Sequence, residues 1–370
     1  MSERPIATVN PPAKPPVVVA RPPEGIRPIN LALNESVYGA SPRAVEAAQA
    51  RVRDAHRYPD PASSELRAAI AETHDIHMDR IVCGNGSEEL LDVVGRLFVR
   101  AGDAILISQS GFFQFALVAA RLGADLIRAP EVDFTADADA LASACNGSVK
   151  LLFLAIPNNP TGTVMPASAV EDLHGRLPKN VVLVLDCAYG EYMDQTELAA
   201  LMKLAGKSEN VIVTRTFSKA YGLAALRVGW CYAPAWMVPG LNMIRSIGNI
   251  NAPAQAAAIA ALGDGAHMRQ AVADTGIERA FVADGLEALG LSIIRGCGNF
   301  VLTKFPDQPE LSTDVVLPRL LAETGIILRP VGEPGFANWT RIGLGRRAEN
   351  ELLLAALGKL LGRAMAPADA

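Results

Sequence analysis

The sequence is poor in several features that would each have set its class. Its 370 residues hold only five cysteines, Cys83, Cys145, Cys187, Cys231 and Cys297. They stand singly, with no CxxC pair, and an odd number cannot close a complete disulfide framework. That excludes a disulfide scaffold and a cysteine-based zinc site, so no metal is expected, and it suits free thiols in a reducing cytoplasm. Long apolar runs are also missing. VVVA, within MSERPIATVNPPAKPPVVVARPPEG, is too short for a secretory core or a membrane span. Lys and Arg number 34 against 39 Asp and Glu, a net charge of −5. Without a basic field, nucleic acid is not an expected partner, and any bound anion must be caught by a few placed residues. A dinucleotide fingerprint is absent too: GNGSEE would need glycine at 89, where Glu89 stands.

What is present is ordinary for a globular enzyme: half the residues are hydrophobic and a fifth are charged. The length allows two domains. Prolines in residues 1–29 favour an extended arm, with two expected fates: lying across a neighbouring subunit or staying disordered. Ser41-Pro42 opens a helix, with serine as N-cap and proline at the first helical position. A second helix starts near Ser63-Ser64. The short, nearly continuous apolar runs IVC, AILIS, DLIRA, LLFLAI, VVLVLD, VIVTRT and RVGWCYA then alternate with helical segments. Such runs predict an α/β fold: a mostly parallel sheet with helices on both faces. Ligands of these sheets gather beyond the carboxyl ends of the strands. An Ala-rich helical stretch over 253–290, strands at NFVLTKF, GIILR and TRIGLG, and a helix from Ala348 predict a smaller α+β domain. The expected division is 1–29 arm, 30–50 the N-terminal part of the small domain, 51–262 the large domain and 263–370 the C-terminal small domain.

Five segments carry candidate chemistry. In TRTFSKAYGLAALRVGW, residues 214–230, Lys219 follows a strand directly. Thr216 and Ser218 flank it and Arg227 comes eight residues later. Lysine's amine forms an imine with an aldehyde cofactor once its pKa is lowered, and the hydroxyls and Arg227 suit a phosphate dianion. In VVLVLDCAYGEY, Asp186 ends an apolar strand, where a carboxylate can pair with a protonated pyridine nitrogen; Tyr189 is placed to donate to a phenolic oxygen. IPNNPTG pins Asn159 in a proline-bounded turn, its amide also available to a ring oxygen. In CGNGSEELLDVVGRL, Gly86 and Ser87 form a glycine-rich entry to a helix N-terminus, a weak phosphate signal by itself. Arg341 in NWTRIGLG and Arg329 in GIILRP carry planar forks suited to a carboxylate or a distal anion.

Together these segments resemble the class I/II aminotransferases of pyridoxal 5′-phosphate (PLP) fold type I, most nearly the histidinol-phosphate aminotransferase branch. LALNESVYGASP, RYPDPASSELR, GNGSEELLD, PNNPTG, D-x-A-Y, TFSKAYGLAALRVGW, NAPAQAAA, NFVLTKF and GIILRP…TRIGLG occur in the family's order, over nearly everything from 31 to 350. The resemblance implies a seven-stranded-type sheet, PLP bound to Lys219 as a Schiff base, and Lys219 as proton shuttle. It implies Asp186 at the pyridine nitrogen, and Asn159 and Tyr189 at the ring oxygen. The cofactor phosphate would meet Gly86, Ser87, Thr216, Ser218 and Arg227. Arg341 would hold the substrate carboxylate or its phosphate equivalent, and Tyr38 would line the substrate pocket. Tyr58 would reach the neighbouring subunit's site in a cytoplasmic homodimer. The implied reaction passes the amino group of histidinol phosphate to 2-oxoglutarate.

Three departures bear on the substrate. Where the family has Pro-Ser/Thr-Tyr, this chain has Gln109-Ser-Gly-Phe-Phe-Gln-Phe115, which makes Phe112 the ring-stacking candidate and Phe113 its rival. Cys187 replaces the acid of D-E-A-Y, and Pro334-Gly335-Phe336 replaces a common Tyr-Gly. The alternatives are an aromatic amino-acid aminotransferase and a threonine-phosphate-type decarboxylase, which uses the same cofactor set. From other classes come a non-catalytic PLP-fold binding module and a non-PLP α/β enzyme with Lys219 merely structural. The binding module needs an appended DNA-binding domain, which the short proline-rich N-terminus does not supply.

Overall fold

The computed structural model describes residues 21–363; the first 20 residues of the expected arm lie outside the described residues. Seven strands form the main sheet, in the order Ile81–Gly84, Gly229–Tyr232, Val211–Thr216, Val182–Asp186, Val149–Ala155, Ala104–Ser108 and Asp125–Ala129. All run parallel except Gly229–Tyr232, which is antiparallel to both neighbours. The strand period of two explains why the runs are apolar throughout. Leu183 and Leu185 point into one buried cluster, with Leu152, Leu154 and Leu106. Val182 and Val184 point into the cluster on the other face, with Phe153, Ile105 and Ile107.

A four-stranded antiparallel sheet, in the order Ser292–Ile294, Phe300–Lys304, Trp339–Gly343 and Arg329–Pro330, has its own core. Val282 and Leu286 of helix Gly265–Ala288, Leu320 of helix Thr313–Thr324, and Leu353 and Leu357 of helix Arg347–Leu360 fill it. Among the described residues no helix is long and apolar enough to cross a membrane.

Several expectations need adjusting. Segment 30–50 does not stay in one place. Ile29–Asn30 pairs with Ile326–Ile327, and Leu31 joins the smaller core. Helix Pro42–Val52 instead packs on Ala252–Leu262, and its Ala44 belongs to the core of the large sheet. Small residues on both helices, Ala44 and Ala48 against Ala254, Ala257 and Ala258, let the backbones approach. The Ala-rich stretch is two helices, Ala252–Leu262 and Gly265–Ala288, parted at Gly263-Asp264, where glycine has little helical preference. GIILRP is also divided: Ile326–Ile327 pairs with the N-terminal strand, while Arg329–Pro330 forms an edge of the four-stranded sheet. Pro330, with no N–H to donate, is tolerated at that edge. Ser41 caps its helix as expected, its Oγ accepting from the Ala44 N–H at 3.2 Å.

Candidate active site

Parallel strands bring their carboxyl ends to one edge, and the candidate residues collect there because they follow those strands. Asp186 ends one strand and Thr216 the next. The reversed strand Gly229–Tyr232 begins at this edge, opposite Thr216, so Arg227 arrives from the other direction. A cavity of about 190 Å³ lies here, lined by eleven of the expected residues: Ser87, Phe112, Asn159, Asp186, Tyr189, Thr216, Ser218, Lys219, Arg227, Arg329 and Arg341. Gly86 lies under Arg227. Tyr38 and Tyr58 are not among the lining residues: Tyr38 faces the Arg346 guanidinium at 5.7 Å, and Tyr58 is 100% exposed.

One end of the cavity is a cradle of donors. Gly86 has φ +85°, which strains any residue with a side chain, and a Cβ there would lie 2.6 Å from Arg227 Nη2, so glycine leaves the guanidinium room over the start of helix Ser87–Phe98. Arg227 Nη1 donates to Ser218 Oγ at 3.4 Å and to the Ala224 carbonyl at 3.0 Å. Thr216 Oγ1 donates to Ser218 Oγ at 3.0 Å. Helix N–H groups, two hydroxyls and an arginine make a dianion site. Glu88 Oε2 sits 3.7 Å from Arg227 Nη2; this carboxylate was not anticipated from the sequence.

At the centre, Lys219 Nζ donates to the carbonyls of Leu33 and Asn34, each at 3.1 Å. No carboxylate lies within ion-pair distance of it among the described residues. Tyr189 OH accepts from Asn34 Nδ2 at 3.0 Å, and its ring centre is 5.7 Å from Lys219 Nζ. Asn34 is 2% exposed, with a φ of +54° that asparagine tolerates, and its Oδ1 has no partner. It was missed because nothing in its local spacing signals a contact made 155 residues away. Asp186 accepts from Thr214 Oγ1 at 2.8 Å. Burial, reinforced by the Glu88 charge, raises its carboxyl to about 6 against the pull of Thr214 and the Ala188 N–H. A buried acid held up in this way is poised to pair with a cationic ring nitrogen.

The far wall holds two arginines. Arg329 and Arg341 are directly opposed on antiparallel strands, which puts both side chains on one face. Arg341 is 3% exposed. Its Nη1 donates to Asn159 Oδ1 at 2.7 Å, Nη2 donates to the Ala32 carbonyl, and Nε has no partner. Burial lowers its pKa to about 10. Arg329 lies over the Phe113 ring at 4.7 Å. Neither forms an ion pair with a carboxylate among the described residues. Phe112 and Phe113 both line the cavity and meet edge to face, centroids 4.8 Å apart. A larger cavity of about 670 Å³ adjoins and shares Leu33, Phe113 and Arg329.

These residues fit a phosphorylated aldehyde of pyridine. The donor cradle suits its phosphate, an amine whose partners among the described residues are two carbonyls suits its aldehyde, and a buried carboxyl suits its nitrogen. Residues 26–357 match the sequence profile of aminotransferase class I and II. The chain belongs to that family of PLP-dependent aminotransferases. A histidinol-phosphate aminotransferase of Paramagnetospirillum magneticum is 39% identical over 340 residues, 92% of this chain and 93% of that protein. One of Maricaulis maris is 40% identical over 334 residues, 90% and 92% of the respective chains. The crystal structure of the Sinorhizobium meliloti histidinol-phosphate aminotransferase in complex with PLP superposes with a TM-score of 0.85 at 30% identity, covering 91% of each chain. The chain is an aminotransferase of PLP fold type I, with PLP as its cofactor and small molecules as substrates.

Proposed function

We propose that this aminotransferase moves the amino group of histidinol phosphate to 2-oxoglutarate, giving imidazole acetol phosphate and glutamate. The observation that carries it is the opposed pair Arg329 and Arg341, two guanidiniums with no carboxylate in ion-pair distance among the described residues, lining the same cavity as Lys219. The pair suits a substrate phosphate or carboxylate, and Arg341's buried, partly unpartnered fork gains most from one. The named activity of the 39% and 40% identical relatives supports the same substrate.

In this reading Gly86, Ser87, Thr216, Ser218 and Arg227 would hold the cofactor phosphate, and Phe112 would lie against its ring. Asp186 would balance the ring N–H, and Asn159 and Tyr189 would address the ring oxygen. Bound there, the cofactor supplies an electron-withdrawing ring that accepts the electrons of a broken α C–H bond. With its amine free, Lys219 would take the substrate's α-proton on Nζ and hold it as the ammonium beside the Leu33 and Asn34 carbonyls. The Leu33 and Asn34 carbonyls orient that amine through its two 3.1 Å hydrogen bonds. Asn34 also holds the Tyr189 hydroxyl, so one residue fixes the proton carrier and its phenolic neighbour. Tyr58, fully exposed on its own chain, reaches the site of a second copy in a cytoplasmic homodimer. The large domain, residues 51–262 joined by helix Pro42–Val52, holds the cofactor, while the small domain supplies both arginines.

The test mixes the PLP-loaded protein with histidinol phosphate, phenylalanine, tyrosine and glutamate, and follows loss of the Lys219-linked absorption band. Histidinol phosphate and glutamate should discharge it, and a Lys219→Ala variant should lose all repeated turnover. Multiple turnovers by that variant would overturn the assignment. Aromatic amino-acid transamination is favoured as a second activity by Phe112, Phe113 and the adjoining 670 Å³ cavity. Discharge by phenylalanine but not by histidinol phosphate would establish it as the main one.

A further inference from the structure

Arg215 stands between two residues that face the candidate site, yet it points away from it. Alternation along Val211–Thr216 puts Thr214 and Thr216 on the Asp186 side and Arg215 on the opposite side of the sheet. There Arg215 Nη2 meets Glu191 Oε1 at 2.6 Å, with the two side chains only 3% and 6% exposed. Glu191 lies in the turn Gly190–Tyr192, which starts one residue after Tyr189. That turn is seated on the guanidinium: a Cβ at Gly190 would come 3.4 Å from Arg215 Cζ and 3.2 Å from Leu198. Gln195 Nε2 closes it from the other side, donating to the Gly190 and Met193 carbonyls at 3.1 and 2.7 Å.

The arginine meets Glu191 through Nη2 alone; Arg215 Nε and Glu191 Oε2 have no partner among the described residues. Trp230 is the partner of Arg215 across the ladder, with the guanidinium 5.7 Å from the indole ring. Trp230 in turn packs on His74, centroids 5.1 Å apart. The titratable groups around Arg215 are Glu191, Cys187, Tyr221 and His74. Burial and the arginine's own charge keep His74 neutral, its pKa lowered to about 3. Glu191 is the one carboxylate within ion-pair distance of Arg215 among the described residues.

Burying an ion pair is costly, and well-packed apolar residues often hold a fold equally well. What an apolar pair lacks is direction. Arg215 Nη2 aims at one oxygen and so ties the strand that leads to Lys219, four residues on, to the turn that follows Tyr189, two residues back. We infer that the Arg215–Glu191 pair is a positioning device that fixes the Tyr189 hydroxyl against Lys219 and so sets the proton affinity of the nitrogen joining Lys219 to the cofactor. Asn34 completes the linkage on the cavity side, donating to Tyr189 and accepting from Lys219. The charged groups facing that nitrogen are Asp186, Glu88, Arg227, Arg329 and Arg341. None of them touches Arg215 or Glu191, and Arg215→Lys, which keeps the charge but not the fork, separates a shift through position from one through charge.

The inference rests on the cofactor assignment above, and the experiment separates the two. The PLP-loaded enzyme is titrated with pH while the Lys219-linked absorption band is followed, in the wild type, Tyr189→Phe, Glu191→Gln, Arg215→Lys and Tyr189→Phe/Glu191→Gln. Glu191→Gln should move the midpoint by about half a pH unit or more, in the direction taken by Tyr189→Phe. It should cut kcat on the order of tenfold or more while KM stays within about twofold. Arg215→Lys, which keeps charge but loses the fork, should fall between. The double variant should shift no further than Tyr189→Phe alone, because both act through one hydroxyl. If Glu191→Gln does not fold, the volume-matched pair Arg215→Met/Glu191→Leu carries the same test. An unchanged midpoint in a folded variant of the pair, or full additivity with Tyr189→Phe, overturns the inference. An unchanged midpoint in Tyr189→Phe itself overturns the placing of Tyr189 at the cofactor instead.

Discussion

Arg341→Met separates a binding residue from a pillar of the fold. Arg341 is 3% exposed, has no carboxylate partner among the described residues, and its pKa falls to about 10 through burial. Relative to an ordinary arginine, that fall corresponds to about 3 kcal/mol held against the charged form. Because the folded-state value lies below the unfolded one, the cost is present in full at neutral pH. It fades only as pH rises past about 10. Methionine removes this cost but also removes donors to Asn159 Oδ1 and the Ala32 carbonyl. Leaving each acceptor unpaired costs about 1–3 kcal/mol. The two effects nearly cancel, so the cofactor-free variant should melt within about 5 °C of the wild type. Activity should behave quite differently. Losing one partner of a buried anion contact costs about 2–5 kcal/mol, so kcat/KM for an anionic donor should fall roughly 30- to 5000-fold. Thermal melts followed by circular dichroism, with initial rates on the same preparations, check both halves. A melting loss beyond about 10 °C, or kcat/KM within a factor of about three of the wild type, would refute the reasoning.

Asp186 offers a pH test. Its folded-state pKa is raised to about 6 by burial, so the cofactor-free chain should lose stability as pH climbs from about 4 to about 6, with the full penalty above. Urea unfolding at pH 4.5 and pH 7 should show that slope in the wild type and a flatter one in Asp186→Asn, which should also lose nearly all turnover when loaded. Gly86→Ala should weaken PLP retention about tenfold or more, measured by dialysis. The added Cβ meets Arg227 Nη2 at 2.6 Å and the backbone is held at φ +85°. Arg329→Gln should raise KM for donors with a distal anion and leave phenylalanine little changed; equal losses for both would show that Arg329 serves the fold.

Much of the fold was legible because its signals are local. Apolar runs such as VVLVLD and VIVTRT reveal buried strands, since a strand covered on both faces needs no polar residue until it ends. The first polar residue after each run, Asp186 or Thr216, then marks the sheet edge where ligands bind. Serine before proline marked the helix at Pro42–Val52 for an equally local reason, the cap's own hydrogen bond. Helix breaks were less legible: the parting at Gly263-Asp264 rests on one weak residue inside a strongly helical composition.

Lys219, Asp186, Asn159 and Arg227 could be singled out from the chain itself, because each sits directly after an apolar run or within a dense motif. The sequence by itself therefore determined the α/β class, the strand ends and the chemistry available at them. Tertiary structure decided how these groups meet. It placed Arg329 opposite Arg341 through a strand register and brought Asn34 to both Tyr189 and Lys219. It sent helix Pro42–Val52 to the large core and paired Arg215 with Glu191 behind the sheet. Those contacts join residues far apart in the chain. They are set by packing and burial, which the order of the residues along the chain does not display.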